Sequence, residues 1–116
     1  MAAAADYSTV ATPANGLYIV RLALDAGAGN AREFIPPVWA GRFTVRLKKA
    51  DDTTDESGGL ATSGTDGAAI GNDTMPIAAG STYTTRIANP GQRAGGSLFL
   101  TDATGGGFAH LSFELL

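Results

Sequence analysis

His110 and Ser112 stand two residues apart in a chain that has one histidine and no cysteine, so they are the first pair to test for nucleophilic chemistry. A serine hydroxyl needs a base within hydrogen-bond reach. On a strand, residues i and i+2 share a face but lie ~6.5–7 Å apart, too far for a direct nucleophile–base bond. The Gly-x-Ser-x-Gly elbow that would expose a nucleophile does not occur. His110 therefore reads as a surface or interface histidine. Asp25 with Glu33, or either with Glu114, could be drawn as a glycosidase-like carboxylate pair. A chain with 11 acidic residues offers such pairs by number alone. No catalytic residue and no enzyme activity is expected.

Two other stretches invite ligand chemistry. Gly27-Ala28-Gly29-Asn30 begins like a dinucleotide loop, but the third glycine position holds Arg32. Phe34-Ile35-Pro36-Pro37 follows where the phosphate-binding helix should start, and two prolines remove donors and force extended backbone. The stretch reads as a connection between strands, and no cofactor is expected. Asp51-Asp52-Thr53-Thr54-Asp55-Glu56-Ser57-Gly58 supplies hard oxygens of the kind calcium prefers. It lacks the Asp-x-Asp-x-Asp-Gly spacing, so it reads as a solvated acidic loop and no metal site is assigned.

The segment Phe34-Ile35-Pro36-Pro37-Val38-Trp39 gathers large apolar groups beside two rigid prolines. Trp39 has two readings: a plug in the core, since aromatics usually bury, or an anchor offered to a neighbouring chain.

The elements that must position these residues are strands. Period-two alternation runs through Tyr18-Ile19-Val20-Arg21-Leu22-Ala23-Leu24-Asp25, with Tyr18, Val20, Leu22 and Leu24 on one face. It is cleanest in Arg42-Phe43-Thr44-Val45-Arg46-Leu47-Lys48. It returns at Thr82–Ile87, at Ser97–Thr101, and in Ala109, Leu111, Phe113 and Leu115. No sustained 3.6-residue apolar period appears. Turn chemistry separates the runs at Pro13–Gly16, Asp25–Asn30, Asn89-Pro90-Gly91 and Gly105–Gly107. The pattern predicts an all-β antiparallel sandwich or jelly roll of six to eight strands. Residues 1–14 read as an extended N-terminal arm and 15–116 as a single domain. A long polar excursion over about 50–80 is expected to hold one weak hairpin, between Leu60-Ala61-Thr62 and Ala68-Ala69-Ile70.

Composition narrows the function classes. Charged residues make up 16% of the chain, against about 25% in ordinary globular proteins, and interface cores are depleted in charge. A net charge of −3 argues against nucleic-acid binding through a general field. Asp51, Asp52, Asp55, Glu56, Asp66 and Asp73 fall in a span with no basic residue, preceded by Arg42, Arg46, Lys48 and Lys49. That predicts a basic side and an acidic loop able to orient the molecule on a partner. The N-terminus lacks the basic and apolar regions of a signal peptide, no apolar run approaches the ~20 residues of a membrane span, and a soluble protein is expected.

An Ala- and Thr-rich arm over Met1 to Ala14, a cysteine-free all-β body, a charge-poor surface and Phe34–Trp39 running into Ala40-Gly41-Arg42-Phe43-Thr44 together resemble small virion structural proteins of tailed bacteriophages, in particular capsid decoration (cement) proteins. The resemblance implies a β-sandwich or barrel that docks on the outer capsid surface and stabilises it, made in the host cytoplasm and located in the virion. It implies the major capsid protein, copies of the chain itself (a homo-oligomer such as a trimer), or both as partners, with neither nucleic acid nor membrane among them. The residues expected to meet a partner are Tyr7, Phe34, Ile35, Pro36, Pro37, Val38, Trp39, Asp51, Asp52, Asp55 and Glu56. The alternative is a carbohydrate- or receptor-binding sandwich of a phage tail or fibre, using exposed aromatics as platforms.

Overall fold

Alternating apolar residues can be buried on only one face of a strand, so the strands must stack in two layers with those faces inward. The computed structural model, which describes residues 4–70, 74–86 and 97–115, is built in that way. Its strands are β1 (Ala5–Asp6), β2 (Leu17–Ala23), β3 (Arg32–Ile35), β4 (Ala40–Lys48), β5 (Gly58–Ala61), β6 (Met75–Ile77), β7 (Tyr83–Arg86), β8 (Leu98–Asp102) and β9 (Phe108–Leu115). One sheet has the order β1-β3-β8-β5-β6 and the other β2-β9-β4-β7. Among the described residues there is no helix.

The core lies between the sheets. Phe34, Leu60, Ile77 and Leu100 of the first sheet pack with Leu22, Phe43, Val45, Leu47, Leu111 and Phe113 of the second in one buried cluster. Phe34, Phe43 and Phe113 form its centre, with ring centroids 6.0–6.3 Å apart, a spacing that suits tilted and edge-on aromatic packing. Leu22, Phe43, Val45, Leu47, Leu111 and Phe113 are inward positions read from alternation.

Nine strands stand where six to eight were expected, and one pairing is parallel: Ala5 and Asp6 lie beside Phe34 and Ile35. β1, β3 and β6, the strands with no alternation in the sequence, are two, four and three residues long, too short to show a period. The start of the expected arm is therefore part of the body. Tyr7 N–H donates to the Ile35 carbonyl at 2.9 Å, Val38 N–H donates to that of Ser8 at 3.3 Å, and residues 1–3 lie outside the described residues.

The excursion also differs from its expectation. Its hairpin forms between β5 and β6, while Ala69 makes only an isolated bridge to Asn30. Gly58-Gly59 reads as a loop, yet it opens β5, where β8 approaches too closely for a side chain. A Cβ on Gly58 would lie 1.9 Å from the Thr101 carbonyl oxygen. The turn Asn89-Pro90-Gly91 and Ile87 fall outside the described residues.

Candidate interaction surface

The outward face of the four-stranded sheet is set by the registers. Leu17, Ile19, Arg21 and Ala23 of β2 lie beside Glu114, Ser112, His110 and Phe108 of β9. Those in turn lie beside Arg42, Thr44, Arg46 and Lys48 of β4. Arg21, His110 and Arg46 thus form one row of basic side chains across three strands. Held without counter-charges, such a row would be repulsive.

The acidic loop supplies those counter-charges. Asp52 accepts hydrogen bonds from Arg21 Nη1 at 2.7 Å through Oδ2 and meets His110 Nε2 at 2.7 Å through Oδ1. Asp55 meets Arg46 Nη2 at 3.0 Å and Lys48 Nζ at 2.7 Å. The hydrogen bond to His110, then that to Arg21, holds the Asp52 carboxyl below the ordinary carboxylate range. Lys48 and then Arg46 do the same for Asp55. Asp52 adopts φ +61°, the left-handed region, which bends the loop back over the sheet.

The acidic residues expected to meet a partner are engaged within the chain itself. Asp52 and Asp55 neutralise the basic row of their own sheet. The Thr54 hydroxyl donates to Asp51, as do the N–H groups of Thr54 and Thr53 at 2.8 and 3.0 Å, and these bonds keep its carboxyl low. Glu56 is buried and bonds Ser57 N–H and both the N–H and hydroxyl of Thr104. Charges adjacent in sequence were separated by strand pleat and turn geometry.

The apolar segment is corrected in part. Phe34, Pro36 and Pro37 are fully buried in the chain's own core, where no partner can reach them. Trp39 is half-buried against that core, and its Nε1–H donates to the Val10 carbonyl at 2.7 Å. Tyr7 packs on Tyr18 and Phe113 with centroids 6.1 and 5.9 Å away. Ile35 is half-buried and Val38 exposed. Tyr7, Tyr18, Tyr83 and Trp39 are each half-buried against the core.

The surface that sequence reasoning missed is the edge of β2. The pairs Leu24–Gly107 and Gly16–Leu115 are joined by backbone hydrogen bonds of 2.9 and 2.8 Å. Bonded pairs alternate in an antiparallel ladder, so the even residues of β2 face β9. Leu17, Ile19, Arg21 and Ala23 turn their N–H and C=O groups to an edge left open among the described residues. Their side chains are exposed as well, Ile19 to 69% and Leu17 to 37%. The available signal was that β2 is apolar on both faces, since Leu17, Ile19 and Ala23 alternate with Tyr18, Val20 and Leu22.

Elsewhere the polar groups serve the fold. A cavity of ≈ 230 Å³ lined by Leu24, Asp25, Arg32 and Asp66 is crossed by the Arg32–Asp66 ion pair at 3.7 Å. Asp102 is fully buried. Its Oδ2 accepts the Gly107 N–H at 2.9 Å, and its Oδ1 has no hydrogen-bond partner among the described residues. Burial pushes its carboxyl up, and the nearby Glu56 and Asp25 charges add to this against the Gly107 N–H. Among the described residues no group of three or more His, Asp or Glu side chains could hold a metal ion. No helix among them is long and apolar enough to cross a membrane.

No family model, no curated protein and no solved structure matches the chain. The architecture described, an all-β sandwich of two mostly antiparallel sheets, stands on the structure alone.

Proposed function

We propose that this chain is a non-enzymatic structural protein that docks on a viral capsid and stabilises it, the role implied by its resemblance to decoration proteins. The observation that supports this reading is the β2 edge. Four of its seven residues offer outward backbone groups, with Leu17 and Ile19 exposed beside them. Soluble proteins normally shield such an edge with charge, proline or a bulge. An unshielded one suits strand addition, in which main-chain bonds supply affinity and alternate side chains supply specificity. A decoration protein acts by burying surface across neighbouring shell subunits, so that parting them also exposes that surface. Repetition over a lattice multiplies the gain.

The test is sedimentation of native source material on a density gradient, with the chain detected by mass spectrometry in each fraction. Co-migration with a megadalton particle at fixed ratio to a major shell protein is the expected result. Migration only as a free small species overturns the reading.

A further inference from the structure

The four sheet edges are not treated alike. Among the described residues, β1 has two residues, β6 has three and includes Pro76, and β7 carries Arg86. Shortness, proline and charge are the usual guards of an edge. β2 has seven residues with no proline, lysine or acid. Its one charge, Arg21, is turned away from the edge: the guanidinium carbon lies 4.7 Å from the Phe108 ring centroid on β9, and Nη1 is held by Asp52. The interior neighbour strand thus keeps the only side chain that could have guarded the edge.

Deepening the reading of β2 as the binding edge, with a second copy as its occupant and the shell met by another surface, we infer that β2 pairs with β2 of a second copy of this chain, antiparallel about a two-fold axis at Val20, so that two four-stranded sheets become one. The outward pattern Leu17, Ile19, Arg21, Ala23 is complementary to itself in this register. Leu17 lies opposite the partner's Ala23, and Ile19 lies opposite the aliphatic stem of the partner's Arg21. All four outward residues are paired. An axis at Ile19 leaves Ala23 unpaired, and an axis at Arg21 sets two guanidinium groups directly opposite. In the Val20 register the two Arg21 side chains are diagonal neighbours, each already neutralised by its own Asp52 and drawn over its own Phe108. The half-buried inward residues Tyr18 and Val20 gain cover from the partner strand.

The purified full chain is measured by sedimentation velocity and light scattering across a range of concentrations. A reversible dimer of twice the 11.7 kDa chain mass is expected. Ile19→Lys is expected to weaken it by about tenfold or more without moving the thermal midpoint, since Ile19 is exposed. Ile19→Pro removes only an outward N–H and gives a folded monomer. Register is read with single cysteines at 19, 20 and 21, which are clean probes because the chain has none of its own. Val20→Cys is expected to cross-link fastest under mild oxidation, because directly opposed residues of a non-hydrogen-bonded pair have Cα atoms ~4.5 Å apart. A monomer at every concentration, or a dimer indifferent to both Ile19 variants, overturns the inference. A monomeric chain that still co-sediments with a particle does so while leaving the capsid role intact, and a β2 dimer that joins no particle upholds the pairing and removes that role.

Discussion

Asp52 Oδ1 lies 2.7 Å from Nε2 of His110, a residue 58 positions away on the middle of the sheet. With Arg21 on the other carboxylate oxygen, the contact ties the turn after β4 across three strands. Because Asp52 is held below its ordinary value, first by His110 and then by Arg21, its contribution is present above the unfolded carboxylate range. It is lost as the pH falls through the lowered folded value. Asp52→Asn is expected to give a small drop in thermal midpoint at neutral pH, which closes in strong acid, and faster proteolysis between residues 49 and 56. Equal proteolysis of both proteins would show that the bridge does not hold the loop.

Asp102 behaves with the opposite sign. Its folded value is raised, chiefly by burial, so its contribution is complete below the unfolded value and is lost as the pH rises through the folded one. Asp102→Asn keeps an acceptor for the Gly107 N–H and removes the buried charge. The variant is expected to have a higher midpoint than the parent at neutral pH and to converge with it near about pH 4. Differential scanning calorimetry across that range checks the convergence, and a lower midpoint at neutral pH would contradict it.

Phe113 joins both sheets through Phe34, Phe43, Tyr18 and Tyr7. Phe113→Ala leaves a cavity at that junction and is expected to cost about 3–5 kcal/mol, a large share of the about 5–15 kcal/mol that holds a domain together. Urea titration reads the loss as a lower midpoint at unchanged slope.

Trp39, the single tryptophan, reports on the N-terminal segment through its bond to the Val10 carbonyl. Trp39→Phe keeps most of the packing but loses that donor, an expected cost of about 1 kcal/mol. Amide exchange over residues 4–12 should quicken more than exchange in β4. Uniform quickening across the whole chain would mean the tryptophan serves the core alone.

Much of the architecture was legible in local pattern. Alternation in 18–24, 42–48 and 109–115 placed Phe43, Val45, Leu47, Leu111 and Phe113 inward, because a strand has only two faces and one must leave water. Only tertiary structure decided what lies beside what. Strand pairing placed Arg21, His110 and Arg46 in one row, and that row drew in Asp52 and Asp55, which composition had assigned to a free acidic loop. Close approach of backbones fits glycine at Gly58-Gly59 in β5, and the second sheet closed over Phe34. Sheet order left β2 at an edge, so that its second apolar face, visible in the sequence as Leu17, Ile19 and Ala23, came to be surface instead of core. Period reports which residues share a face, since it is set by one strand's own geometry. Whether that face meets water, another strand or an opposite charge is set by contacts between residues far apart in the chain.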